Sequence, residues 1–337
     1  MMVVMQAAIL QQIAPIASSP LRLCEVPVPE PGPDELRLKV RCCAICRTDL
    51  HVIEGDLPQA RMPIIPGHQV VGIVDALGPG CGQFRPGDRV GVAWLRGTCG
   101  SCECCTAGKE NLCPSTRFTG YHEHGGYAQY ALVPEAFAYG IPQAFSDVEA
   151  APLLCAGIIG YRALRRSNCP SGGRLALYGF GSSAHVVIQI AQHRRCEVYV
   201  VTRGEKHVAL ARRMGAVWAG QQAAEMPVQV DSAIIFAPAG ELVLPALESL
   251  KRGGTLALAG IHMSPIPQMD YDRYVFYERD IRSVTCNTRQ DGRELLAEAA
   301  QIPIRPHTTI YPLADANRAL QDLKNDQISG TGVLAIE

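Results

Sequence analysis

Four cysteines in one short stretch carry the spacing Cys99-x2-Cys102-x2-Cys105-x7-Cys113. Four thiolates this close in sequence can surround one tetrahedral ion, and an all-sulfur closed shell is the arrangement of a structural zinc site. Cys104 is a spare thiol inside the same loop. The bland alternative is a metal-free loop, which would leave a set of exposed, oxidisable thiols.

A second set is looser. Cys46-Arg47-Thr48-Asp49-Leu50-His51 is followed by Gly67-His68-Gln69, and Cys155 stands in Ala151-Pro152-Leu153-Leu154-Cys155. A Cys and a His alone make a partial metal site, and a lone His such as His68 is more often a satisfied structural residue. With Cys155 as a third ligand, one position stays open for water or substrate, which is the catalytic form of a zinc site.

The third signal is Gly179-Phe180-Gly181-Ser182-Ser183-Ala184, after an apolar run and before a helical one. It fits a dinucleotide-binding turn: Gly179 for the tight bend, Gly181 for close approach of the pyrophosphate, Ala184 for helix–strand packing. The helix N-terminus then faces the phosphates. Past the next apolar run stand Thr202 and Arg203, with Lys206 nearby. No carboxylate is in place to hold a ribose 2′-hydroxyl, and a guanidinium is available for a 2′-phosphate. Charge therefore favours NADP, with NAD as the alternative should Arg203 merely be solvated.

The elements that must position these groups change character along the chain. Short apolar runs at residues 36–40, 69–74 and 88–93 are separated by Pro- and Gly-rich turns, the texture of a twisted β-barrel. From about residue 150, strands at 174–178, 197–202, 233–236 and 255–258 alternate with helices at 183–193 and 205–214, which predicts βαβ units on a parallel sheet. Residues 304–337 mix short strands with a helix at 313–324. The first ten residues read as a strand rather than a signal peptide.

Composition sets the bounds. Thirty-one basic and 32 acidic residues in 337 leave a net charge of −1, against the basic excess of a nucleic-acid binder. No apolar run is long enough to span a bilayer. The 14 cysteines, clustered with metal-ligand spacing rather than spread as a disulfide framework, suit a cytoplasmic protein.

Taken together, these motifs resemble the zinc-dependent alcohol dehydrogenases of the medium-chain dehydrogenase/reductase superfamily, over essentially the whole chain. The resemblance implies an α/β two-domain protein. A GroES-like β-barrel catalytic domain would span 1–157 and a Rossmann domain with a doubly wound parallel sheet 158–289. The segment 290–337 would return to the barrel. It further implies two zinc ions per chain, a catalytic one on Cys46, His68 and Cys155 and a structural one on Cys99, Cys102, Cys105 and Cys113. Asp49 would orient His68, Thr48 and His51 would form a proton relay, and Arg289 would contact the cofactor. Trp94 would line the substrate pocket. Gly179 to Ala184, Thr202 and Arg203 would hold the dinucleotide. The partners implied are a small-molecule alcohol or aldehyde and, as homodimer or homotetramer, further copies of the chain; neither nucleic acid nor membrane is expected.

Two departures stand out. Family members usually carry Glu after the zinc-binding His, where this chain has Gln69, and Thr202 stands where NAD-using relatives carry an acidic residue. The alternatives are a polyol dehydrogenase or a zinc-independent quinone reductase of the same superfamily. From another class comes a zinc-stabilised interaction module. The intact four-cysteine loop and Cys155 argue against the first. The separate Cys46, His68 and Cys155 set argues against the other two.

Overall fold

The computed structural model describes residues 3–57, 61–328 and 330–337. Contacts divide the chain into two units: Met1–Cys155, Cys286–Ala300 and Pro306–Glu337 in the first, Ala156–Thr285 and Gln301–Arg305 in the second. Residues 286–289, expected to close the dinucleotide-binding domain, thus lie in the first unit. They are held there by contacts such as that of Asn287 Nδ2 with Tyr139 Oη, 3.5 Å apart. Residues 301–305 lie with the second.

The first unit is built on a seven-stranded sheet. Its central strand Glu35–Ala44 pairs antiparallel with Gln69–Leu77, Tyr130–Pro134 and Thr331–Ala335. Leu36, Leu38 and Val40 alternate with more exposed neighbours, so one face packs the core and the other meets the surface. From Cys42 to Ala44 every side chain is buried, because this end of the strand enters the interior. The register sets Ala44 opposite Gln69. Cys46 and His68, just outside those partners in sequence, are therefore delivered to the same end of the sheet.

A strap holds the approach to His68. Gly125, Gly126 and Tyr127 donate backbone N–H groups to Ile65, Gly67 and Pro66 at 2.7, 2.9 and 3.0 Å. The strap lies so close that a Cβ on Gly125 would sit 2.0 Å from the Gly67 carbonyl oxygen.

The second unit is a six-stranded parallel sheet in the order Trp218–Gly220, Glu197–Val201, Arg174–Tyr178, Val230–Ile235, Leu250–Leu258, Asp280–Ser283. Leu175 to Tyr178 are fully buried, as expected of a strand covered on both faces. The strand order reverses at Arg174–Tyr178, and in open parallel sheets ligands bind beyond the carboxyl ends of the strands at such a point. The turn from Gly179 to Ala184 lies there. Among the described residues no helix is long and apolar enough to cross a membrane, and all fourteen cysteines are free of disulfides.

The strap yields a test. Gly125→Ala must displace backbone rather than a flexible side chain, so it should destabilise the protein by about 2 kcal/mol or more. A chemical denaturation midpoint checks this; an unchanged midpoint would mean that the strap moves freely.

Candidate metal centres and dinucleotide turn

Cys46, His68 and Cys155 come together, with one ligand atom from each lying within 4.8 Å of the others. His68 is fully buried. Its Nε2 atom is also buried and has no hydrogen-bond partner, a costly arrangement unless a ligand completes it. Cys46 caps the helix Arg47–Glu54: its Sγ accepts the Thr48 N–H at 3.4 Å, and its own N–H donates to Asp49 Oδ2 at 2.8 Å. Cys155 ends the 3-10 turn Ala151–Leu154, whose four residues are all buried. Leu154 packs so tightly beneath Gly91 that a Cβ there would come within 2.7 Å of it.

The electrostatics suit a cation. A hydrogen bond with Cys155 outweighs burial and holds the Cys46 thiol well below its ordinary value. The same hydrogen bond, with burial, pushes Cys155 well above its own. Burial opposes a charged His68, but Asp49 overrides it and raises the imidazole to about 10. A divalent cation binds thiolates and a neutral imidazole, so its binding would release protons from the cluster. The donor set fits zinc.

Asp49 organises this cluster. It is buried, and its Oδ1 accepts from His68 Nδ1 at 3.0 Å. Its Oδ2 accepts from the Cys46 N–H and, at 3.0 Å, from the Tyr127 hydroxyl.

The sulfurs of Cys99, Cys102, Cys105 and Cys113 also lie within 4.8 Å of one another, and Cys104 is not among them. Backbone N–H groups point at the sulfurs: Cys102 to Cys99 at 3.3 Å, and Cys99 and Ser115 to Cys113 at 3.4 Å. Backbone N–H groups of Ser101 and Cys102 lower the Cys99 thiol to about 6, which favours the thiolate that a metal needs.

In the second unit Gly179 has φ +89° and donates its N–H to the Val201 carbonyl at 2.8 Å. A Cβ would strain this backbone and approach Ala237 N to 3.1 Å. Gly181 precedes the helix Ser182–His193, and a Cβ on it would meet no atom within 4 Å. Space over the turn is therefore open. Phe180 and Ala184 are buried. Thr202 is buried and Arg203 exposed.

Two family models match: the alcohol dehydrogenase GroES-like domain over residues 32–143 and the zinc-binding dehydrogenase domain over 184–301. The chain is 53% identical over 327 residues to "Probable alcohol dehydrogenase AdhA" of Mycobacterium tuberculosis (strain CDC 1551 / Oshkosh), covering 96% of this chain and 94% of that one. It is 33% identical over 342 residues to an alcohol dehydrogenase of Geobacillus stearothermophilus, covering 99% and 100%. The structure of a cobalt- and zinc-bound thermostable alcohol dehydrogenase from Pyrobaculum aerophilum matches with TM-score 0.88 and 27% identity, over 99% of this chain and 100% of that one. The chain belongs to the zinc-type alcohol dehydrogenases of the medium-chain dehydrogenase/reductase superfamily.

In this dehydrogenase, an oxidoreductase by family, Thr48 and His51 are three positions apart on the helix Arg47–Glu54 and so share a face. Thr48 is buried with Oγ1 3.5 Å from Cys46 Sγ; His51 is partly exposed, its Nδ1 2.8 Å from Asp56 Oδ2. Trp94 meets the His68 ring edge-on at 4.9 Å and stacks on Phe118 at 4.8 Å. Gln69 is buried beside His68, and its Oε1 has no hydrogen-bond partner.

Arg289 is engaged within the first unit. Glu110, from the four-cysteine lobe, accepts from the Arg289 backbone N–H at 3.0 Å and from Nε at 3.2 Å. The guanidinium also lies 4.8 Å above the Phe137 ring. Sequence reasoning missed Glu110 and Tyr127. Glu110 stands in the gap between Cys105 and Cys113 but is no part of the ligand spacing; the only trace of Tyr127 is the Gly125-Gly126 pair that lets it approach.

The Glu110 contact has a pH signature. Burial opposes its charge, but Arg289 prevails and holds the carboxyl below its ordinary 4.5. The stabilisation is therefore complete above about pH 4.5 and is lost as pH falls through the lower, folded-state value. Glu110→Gln should cost about 1–3 kcal/mol at neutral pH and flatten the acid limb of the stability curve. An acid limb of unchanged slope would show that the pair contributes nothing.

Proposed function

We propose that Cys46, His68 and Cys155 hold a catalytic zinc ion and that Cys99, Cys102, Cys105 and Cys113 hold a structural one. The chain would then interconvert a primary or secondary alcohol and its aldehyde or ketone, with NADP preferred to NAD. The observation that supports this most directly is the fully buried His68 Nε2, which has no hydrogen-bond partner, in a cluster with Cys46 and Cys155 whose ligand atoms lie within 4.8 Å of one another.

When bound, the metal supplies a Lewis acid with an open coordination position and the nicotinamide takes or gives the hydride. The chain's own residues do the rest. Asp49 orients His68 and fixes its tautomer, with Nδ1–H directed at the carboxylate. Trp94 and Phe118 form an aromatic wall beside His68, which would limit the width of the substrate. The buried Thr48 hydroxyl would accept the substrate proton while passing its own onward. His51, its Nδ1 held by Asp56, would take that proton at Nε2 and release it to solvent.

The turn from Gly179 to Ala184 would cradle the pyrophosphate at the helix N-terminus. Exposed Arg203 makes no ion pair among the described residues and is available to a 2′-phosphate, where Thr202 offers no opposing charge. A role for Arg289 in holding the cofactor would require it to keep or exchange its contact with Glu110.

The strand Asp280–Ser283 is an edge of the parallel sheet. Ile281, Tyr271, Phe276 and Tyr277 are exposed on or near it. Unpaired edges with apolar neighbours favour association, which supports a homodimer or a homotetramer built on it. Fourteen cysteines outside any disulfide suit a reducing, cytoplasmic setting.

Metal analysis should give two zinc ions per chain. Cys46→Ser should lose one ion and turnover while retaining the fold, whereas Cys102→Ser should lose the other and lower stability. A one-zinc protein that still oxidises alcohols would contradict the assignment. For the cofactor, Arg203→Ala should weaken NADP(H) binding at least about tenfold, the loss of one charge-assisted contact, and leave NAD(H) nearly unchanged. Titration with both dinucleotides checks this, and equal losses would remove the role of Arg203.

A further inference from the structure

We propose that Tyr127 is a positioning residue for the catalytic metal, acting through Asp49 on His68. The proposal rests on the reading of Cys46, His68 and Cys155 as zinc ligands.

Tyr127 is fully buried, and its hydroxyl donates to Asp49 Oδ2 at 3.0 Å. Burial and the adjacent carboxylate keep the phenol protonated, so it stays a donor. The other Asp49 oxygen receives His68 Nδ1–H, also at 3.0 Å. A carboxylate turns readily about its last torsion, where the energy wells are broad. The Cys46 N–H anchors Oδ2 at 2.8 Å from one side. The Tyr127 hydroxyl is a second donor to that oxygen, and with the Cys46 N–H it narrows the range over which the carboxylate plane can swing. That plane sets the direction of Nδ1–H and hence where Nε2 points.

Tyr127 reaches the same histidine by a second route. Its N–H donates to the Pro66 carbonyl at 3.0 Å. Its ring lies over Gly67, where a Cβ would come within 2.3 Å of it. The residue thus grips both the peptide that leads into His68 and the carboxylate that orients the ring. The competing account is that only the ring matters, as filling over Gly67, and that the hydroxyl is incidental.

Tyr127→Phe separates the two, since it keeps the ring and removes the hydroxyl. In the full-length, zinc-loaded protein, release to a chromogenic chelator should show two phases, the catalytic one assigned as that missing from Cys46→Ser. In Tyr127→Phe the catalytic phase should run about 10- to 100-fold faster, the usual cost of losing an outer-sphere partner. The four-cysteine phase should be unchanged. Cobalt placed in the catalytic site should show an altered visible absorption, which a purely space-filling role would not produce. In an Asp49→Ala background, removing the hydroxyl should change release no further. Unchanged release and cobalt spectra in Tyr127→Phe would overturn the proposal, as would the same fold-change with Asp49 absent. If Cys46→Ser releases as much zinc as the unsubstituted protein, the metal assignment itself fails, a result distinct from an indifferent hydroxyl.

Discussion

The carboxylate of Asp49 accepts hydrogen bonds from three groups that are far apart in sequence: the Cys46 amide, the His68 ring and the Tyr127 hydroxyl. Each comes from a different element of the first unit. A buried carboxylate without donors would cost several kcal/mol, so these three groups cannot drift from it without a large penalty. Completing the shell of Asp49 therefore holds Cys46 and His68 together, in the cluster that Cys155 completes.

The two cysteine sets solve different problems. The four-cysteine lobe draws its ligands from one short loop and turns backbone N–H groups toward the sulfurs. It is locally self-sufficient, apart from the Glu110 contact that ties it to the start of the helix Arg289–Ala299. The Cys46, His68 and Cys155 set is assembled from three distant segments and is enclosed by Trp94, Phe118 and the helix Arg47–Glu54. A closed shell made locally suits stability. An open one made from converging segments suits chemistry, since an unfilled position has to be walled off from bulk water.

Packing density explains the glycines at this site. Gly67 and Gly125 lie where backbone passes backbone or ring at distances that no Cβ allows. That closeness lets the strap from Gly125 to Tyr127 run along residues 65–67, bringing a phenol to a carboxylate nearly eighty positions away.

Much was legible in the sequence, for reasons of locality. The four-cysteine spacing, the turn from Gly179 to Ala184 and the alternation of strands and helices after residue 150 all encode contacts between near neighbours in the chain. The strands expected at 36–40 and 69–74 correspond to the longer Glu35–Ala44 and Gln69–Leu77; their ends extend because pairing partners prolong them. The helix expected at 183–193 begins at Ser182, since Gly181 serves as its cap. Other features depended on contacts that no local pattern records. The helices Arg47–Glu54 and Arg289–Ala299 went unread; the first is capped by a cysteine, an uncommon cap residue. Glu110 and Tyr127 are ordinary residues in composition and spacing. Only the tertiary structure sets Glu110 against Arg289 and Tyr127 against Asp49, because each pairing joins groups that meet only when separate strands have taken their register. Residue types and local spacing determined which atoms this chain could offer to a metal and a dinucleotide. Tertiary packing decided which buried partners hold Cys46 and His68 still, since a hydrogen bond across the core is specified by where the backbones cross and not by any stretch of sequence.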